Sequence, residues 1–261
     1  MSQAIGLDHA GIVGRDLTAL AAAFQALGFT LTPLARHAGG RTGNRCVMLR
    51  DGGYLELMST VDGGISATLD RFLARHAGLH ILALEIDDVA AVQGRLRLAF
   101  GSAPDVSHTD RAVDAADPDG PRARFALLTP PDPPEGRVHL IRHETREALW
   151  QDRFLGHANN AVALTEIVLE APEPARTAAW FSRLAGRTVT PDQEGGYALQ
   201  LPRGRVRILP GAEPRMVGVT LRTGDRNASI RRWLGEHEIA FRDDRDAVAV
   251  DIVGTSLRFT A

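Results

Sequence analysis

The chain repeats one plan four times, and that repetition limits its fold more than any single motif does. In the first copy an apolar run, Leu7-Asp8-His9-Ala10-Gly11-Ile12-Val13, leads into an Ala/Leu-rich stretch over 16–27. Leu17, Leu20, Ala21, Phe24 and Leu27 fall there at helical spacing, and Gly28 ends it. Short strand-like runs follow, closing on Gly53-Tyr54-Leu55-Glu56-Leu57-Met58. A second copy starts at 79–88, passes through an amphipathic stretch over 89–100 and ends on runs at 124–128 and 137–143. The third goes from 163–170, through a helix carrying Trp180, Phe181 and Leu184, to strands within 195–209. The fourth takes 216–221, a helix around Ile230, Trp233 and Leu234, and closing strands at 247–253 and 256–260. One such unit cannot bury both faces of its sheet, so the units must pair. Four βαβββ units therefore predict an α+β chain of two cupped mixed-sheet domains. The first is 1–147, from units 1–78 and 79–147. The second is 161–261, from units 161–212 and 213–261. A linker over 148–160 joins them, with a helix expected over 145–154.

Composition removes several functions. With 261 residues and 44% hydrophobic content the chain can bury a substantial core. A net charge of −2, with no basic run interleaved with aromatics, points to neither nucleic acid nor an anionic membrane. All 30 basic residues are arginine, so lysine Schiff-base and lysine general-base chemistry are out of reach. The lone Cys46 allows neither an intramolecular disulfide nor a CxxC site and fits a reducing compartment. Residues 1–6 lack the pattern of a signal peptide and no apolar stretch is long enough to cross a bilayer, so a cytoplasmic protein is expected. The run Pro130-Pro131-Asp132-Pro133-Pro134-Glu135-Gly136 must be a loop between strands. Neither a phosphate-binding glycine loop nor a Gly-x-Ser-x-Gly elbow is present.

Overlaying the units shows which side chains should converge. His9 stands seven residues before Asp16, which opens the first helix, and the same offset from Asp88 gives Ile81. The third unit has Glu166 in that place, and the fourth Gly218. On the last strands Glu56 overlays His139, Arg207 and Arg258. His9, Glu56 and His139 thus face one cup, two imidazoles and a carboxylate able to form a facial metal triad. Strand alternation puts His143 on the face of His139, so either can be the third ligand. His80 replaces Ile81 if the second unit is anchored on Asp87, because a one-residue slip exchanges the faces. In the second domain Glu166 lies between Arg207 and Arg258, which predicts a charge cluster and no metal, since guanidinium offers no lone pair.

His37 with Gly43-Asn44-Arg45, the Gly53 to Leu57 segment, His143 through Trp150, and His157-Ala158-Asn159-Asn160 resemble the bacterial glyoxalase-like subgroup. The unit order resembles the vicinal oxygen chelate superfamily as a whole. That resemblance implies the glyoxalase/bleomycin-resistance/dioxygenase-like fold. It implies a small-molecule enzyme that uses a divalent metal, Zn, Ni, Co, Mn or Fe(II), on a substrate with vicinal oxygens. The reaction would be that of a lyase or isomerase, or of an extradiol-type dioxygenase. A metal-free cup that binds or sequesters a small molecule is the alternative. Expected ligands are His9, Glu56 and one of His139 or His143. Expected catalytic groups are Glu56, His37, Asn44 and Tyr54, with His37 and Asn44 in a glycine-rich lid over 35–44. His80 and His157 are further candidates, and His157 also suits backbone hydrogen bonding at the domain junction. The partner is a small molecule, with neither nucleic acid nor membrane involved, and a homodimer is compatible with this reading.

Overall fold

Sixteen strands and six helices follow the fourfold plan in a computed structural model that describes residues 2–244 and 246–261. The first unit is β1 (Gly6–Val13), α1 (Leu17–Ala26), β2 (Ala35–Arg36), β3 (Thr42–Met48) and β4 (Tyr54–Thr60). A short helix, α2 (Ala67–Leu73), leads to β5 (Gly78–Glu85), α3 (Val89–Phe100), β6 (Val106–Ala112), β7 (Arg122–Leu128) and β8 (Arg137–His143). After α4 (Arg146–Leu149) come β9 (Ala161–Ala171), α5 (Pro174–Ala185), β10 (Val189–Pro191), β11 (Tyr197–Gln200) and β12 (Arg205–Pro210). The last unit is β13 (Arg215–Thr223), α6 (Ala228–Glu236), β14 (Arg242–Asp244), β15 (Ala247–Ile252) and β16 (Thr255–Thr260).

The two sheets share one topology, β2-β3-β4-β1-β5-β8-β7-β6 and β10-β11-β12-β9-β13-β16-β15-β14. In each, the first strands of two units pair antiparallel at the centre, and each unit's last strand runs parallel to its first. The first sheet curls until its edges meet, where Ala115 N donates to Leu34 O at 2.7 Å. Helix starts follow local chemistry: Asp16 and Asp88 accept from Ala19 N and Ala91 N at 2.7 and 2.9 Å, and Pro174 opens α5.

Register supports the unit overlay. His9 pairs with Tyr54, Ile81 with Arg137, Glu166 with Arg205 and Gly218 with Ser256. Two residues along each last strand stand Glu56, His139, Arg207 and Arg258. Asp88 is the cap of α3, so Ile81 corresponds to His9 and His80 does not. The helix expected over 145–154 is broken: α4 stops at Leu149 and a 3₁₀ turn spans Asp152–Phe154. Trp150, at ψ 64°, leaves the helical path and donates Nε1–H to Leu49 O at 3.1 Å. Strand β6 and helix α2 had no counterpart in the sequence reading. The exposed pattern Ser107-His108-x-Asp110 on β6 carries little apolar alternation.

One apolar cluster runs through both halves, from Leu7, Phe24 and Leu84 to Ile167, Phe181 and Phe259. Polar contacts tie the halves at helix ends. Asn159 Nδ2 and Trp233 Nε1 donate to Leu27 O and Ala26 O at the C-terminus of α1, both at 2.8 Å. From α3, the Arg95 guanidinium reaches the carbonyls of Arg183 and Leu184 at the C-terminus of α5, where a cation is favoured. Among the described residues no helix is long and apolar enough to cross a membrane. A shared core predicts a single urea transition for the whole chain, seen alike by fluorescence and far-UV circular dichroism. Arg95→Met should shift that transition by about 2 kcal/mol without splitting it, because it strips donors from buried carbonyls. Two separate transitions would mean that the halves fold independently.

Candidate active site

The cup of the first sheet encloses a hollow of about 290 Å³ into which His9, His37, Tyr54, Glu56, Arg111 and His139 project. A larger hollow of about 710 Å³ lies between α3, α5 and the proline loop. Its walls are mainly apolar, Leu96, Phe100 and Trp180 among them, and contain neither imidazole nor an unpaired carboxylate. The smaller hollow, with its imidazoles and carboxylate, is therefore the candidate site.

A bulge in β1 sets the central geometry. Leu7 pairs with Leu84 and His9 with Ala83, so Asp8 is an extra residue on this strand. Leu7 and Ala10 both enter the core, and Asp8 Oδ1 comes 2.8 Å from His9 Nδ1. On its other side Asp8 meets His143, whose Nε2 is 3.3 Å from Oδ1 and 3.1 Å from Oδ2. Burial alone would raise the Asp8 pKa, yet the charge and hydrogen bonds of His143 and His9 hold it far below the usual carboxylate range. An ionised carboxylate only accepts, so His9 donates through Nδ1 and presents Nε2 to the cup.

There Nε2 faces Glu56 Oε2 at 3.7 Å, too far for a hydrogen bond. The other carboxylate oxygen, Oε1, is held by a short hydrogen bond from Asn44 Nδ2, with His37 Nε2 at 3.3 Å. His37 Nε2 is also 3.1 Å from Asn44 Nδ2, and its Nδ1 is 2.8 Å from Thr42 Oγ1. Burial again acts to raise the Glu56 pKa, but the hydrogen bonds and charges of His37, His9 and Asn44 bring it down to about 2. Across the cup, His139 Nδ1 is 2.8 Å from Thr129 Oγ1, and burial pushes its pKa down to about 3, so the ring is neutral at pH 7. Tyr54 stacks on His9 at 4.5 Å between ring centres, and burial drives its pKa well above the usual value, so it stays a neutral phenol.

The structure thus gathers His9, His37, Asn44, Tyr54, Glu56 and His139 in or around one cup. The segment 35–44 is a hairpin of β2 and β3, with His37 at its turn and Asn44 on β3, rather than a free lid. His143 does not line the cup. It is sealed behind Asp8, edge-on to Trp150 at 5.0 Å, where it holds Asp8. His80 lies outside, stacked on Phe72 at 4.8 Å and 2.9 Å from His76 O. His157 accepts from Thr30 N and donates to Met48 O at 3.1 and 2.9 Å, a junction role. Three contributors were missed. Asp8, inside an apolar run beside His9, was the readable signal. Thr129 and Arg111 required the positions of β6 and the proline loop.

Among the described residues no three His, Cys, Asp or Glu side chains close into a metal cluster, in contrast to the expected triad. Asn44 and His37 draw Glu56 towards β3, whereas Thr129 holds His139 on the opposite wall. The donor types still suit a divalent ion: His9 Nε2 and Glu56 Oε2 face each other, and the partner of each is already in place on its far side. In the second half the overlaid positions form ion pairs. Glu166 meets Arg205 at 2.5 Å and Arg207 at 3.8 Å, and Arg207 also reaches Asp192 and Glu194 at 2.9 and 3.1 Å. Arg258 is exposed and is not part of this cluster; Arg205 replaces it as the second cation.

The sequence matches the family described as glyoxalase-like domain over residues 7–185. No curated protein matches it in sequence. Among solved structures, a hypothetical protein from Staphylococcus aureus superposes with a TM-score of 0.73 at 14% identity, over 98% of each chain. An extradiol ring-cleaving dioxygenase from B. fuscum gives 0.62 at 15% identity, over 100% of this chain and 72% of that one. The Mn(II)-bound glyoxalase from Novosphingobium aromaticivorans gives 0.59 at 16% identity, over 100% and 83%. At these identities the likeness is one of fold.

Asp8→Asn should cost about 3 kcal/mol in urea unfolding at pH 7, because it leaves two buried imidazoles without their anion. The Glu56 pKa falls from 4.5 to about 2 on folding, so ionised Glu56 stabilises the fold fully above its unfolded value. That contribution fades as pH drops from about 4.5 towards 2. Unfolding free energies measured over this range should fall less steeply for Glu56→Gln than for the parent. Equal slopes would mean that Glu56 is not held ionised.

Proposed function

Because the chain belongs to the glyoxalase-like domain family of the vicinal oxygen chelate superfamily, we propose that its first cup is the active site of a small-molecule enzyme. In this reading His9, Glu56 and His139 would hold a divalent ion, one of Zn, Ni, Co, Mn or Fe(II). The substrate would present two neighbouring oxygens to it. The observation that carries this reading is the pair His9 Nε2 and Glu56 Oε2, 3.7 Å apart with no hydrogen bond between them. When bound, the ion would supply Lewis acidity to substrate oxygens on which negative charge develops.

The protein's own groups do the positioning. Asp8 fixes the His9 ring and His143 fixes Asp8. Asn44 and His37 hold one oxygen of Glu56 and leave the other towards His9. In this reading His139, neutral at pH 7, would donate Nδ1–H to Thr129 Oγ1 and keep the Nε2 lone pair for a ligand. His37, at the mouth and in contact with both Glu56 and Thr42, would hold Glu56 in place and meet the substrate as it enters. Leu69, Ile81, Phe125 and Ile141 keep water from the substrate. The Mn(II) of the glyoxalase structure favours a divalent ion. Lyase or isomerase chemistry and ring-cleaving oxygenation both remain compatible with this donor set. The ion-paired second cup would then serve as a scaffold for the first.

The absence of a closed three-residue cluster among the described residues favours one rival, a metal-free cup that captures a small molecule. Elemental analysis of protein purified without chelator or histidine tag separates the two. The enzyme reading expects about one divalent ion per chain after reconstitution, lost in Glu56→Gln and His9→Gln. His143→Ala, which removes one of the two imidazoles that hold Asp8, should weaken binding of the ion without abolishing it. No ion even after reconstitution would leave the binding protein in its place.

A further inference from the structure

The cup carries a cation that the ion-binding side does not use. Arg111 lies on β6, the edge strand that the curled sheet brings round to the His37 hairpin, and it is only 8% exposed. It lines the cup and also an outer hollow of about 270 Å³, which it shares with Arg36, His37 and Ala38. Arg111 therefore stands at the mouth, between the interior and the way in.

Its guanidinium is almost unpartnered. Nε is buried without a hydrogen bond, and Nη1 makes one grazing contact, 3.5 Å to the carbonyl of the adjacent Ala112. Nearby carboxylates are committed elsewhere. Asp110 pairs with Arg122 at 2.6 Å, and Glu56 is held by Asn44 and His37. The other guanidinium in the wall, Arg137, is held by Asp132 through two hydrogen bonds of 3.1 Å, a carboxylate it shares with Arg71 at 2.6 Å. Among the described residues none supplies Arg111 with an anion. A buried cation in that state is costly unless a ligand completes it, and a guanidinium fork matches a carboxylate in two bonds.

We propose that Arg111 is a substrate-binding residue that makes the cup selective for a carboxylate-bearing molecule. The carboxylate pairs with Arg111 at the mouth, the apolar body lies against Leu69, Ile81, Phe125 and Ile141, and the far end reaches His9, Glu56 and His139. This rests on the cup being the substrate site, and it narrows the substrate class to small organic acids. The charge of Arg111 already acts inside the cup, where it opposes the upward shift that burial imposes on Tyr54 and Cys46.

Benzoate and benzamide, nearly the same shape and differing in charge, test the proposal by calorimetric titration of the intact chain. The parent should bind benzoate at least tenfold more tightly than benzamide. Arg111→Met should bring that ratio to about one and leave benzamide affinity within twofold, and Arg111→Lys should retain part of the preference. A carboxylate attracted only by an ion on His9 and Glu56 would lose its advantage in Glu56→Gln, whereas one bound by Arg111 keeps it. The thermal midpoint of Arg111→Met should be no lower than that of the parent, since an uncompensated buried charge has been removed; a purely structural arginine would lower it. Equal binding of the two probes by the parent, or a preference that survives Arg111→Met, overturns the assignment while leaving the cup as a small-molecule site. Binding of neither probe overturns both.

Discussion

Asp8 is wholly removed from water, with an imidazole on either side, and the first cup depends on how that carboxylate is satisfied. An isolated buried carboxylate costs several kcal/mol, so both rings are needed where they stand. One consequence is that His9 cannot rotate without stranding Asp8. A second is that the connector between the halves enters the site. Arg146 lies 4.2 Å from the Trp150 ring and pairs with Glu85 at 2.7 Å, Trp150 closes the seat of His143, and His143 holds Asp8. The segment that breaks the expected helix thus buttresses the position of His9.

The bulge that places Asp8 beside His9 is part of the repeat. On β5 the pairing skips from Ile81 to Leu79 and leaves His80 as the extra residue. In the second sheet the same skips leave Thr165 on β9 and Val217 on β13. Asp8, His80, Thr165 and Val217 are therefore one structural position with four chemistries. His80 is the counterpart of Asp8, one residue short of the counterpart of His9. In the second unit the extra residue is spent on aromatic stacking against Phe72 and His76.

This explains what the sequence could and could not reveal. The unit order was legible because four apolar runs, each followed by a helical period, leave few ways to bury a sheet. The equivalence of Glu56, His139 and Arg207 was legible because a parallel neighbour fixes register from a single anchor. The ambiguity between His80 and Ile81 came from the bulge, which adds a residue that alternation cannot detect. His139 and His143 do share a strand face, as alternation requires, but packing of Trp150 closes one end of that face. Only the folded chain distinguishes a side chain in the cup from one sealed behind it. Arg111 was hidden for a related reason: its strand is mostly exposed, and only the curl of the sheet carries its tip to the mouth.

The two cups differ in how completely they settle their own charges. In the second, Glu166 is met by Arg205, Arg207 and Thr220, and Arg207 in turn by Asp192 and Glu194. Glu166 and Arg207, the buried members of that cluster, are each met by more than one opposite charge, so an incoming ligand would have to displace one of them. In the first cup each group is satisfied on one side only. His9 is held through Nδ1, Glu56 through Oε1 and His139 through Nδ1, and Arg111 has hardly a partner at all. Their remaining lone pairs and donors border a hollow they share with Leu69, Ile81, Phe125 and Ile141, where electrostatic interactions are stronger than in bulk water. Both halves have the same backbone plan. They differ in how many of these groups the protein itself satisfies, and on the proposed reading that difference makes the first a binding cup and the second its scaffold.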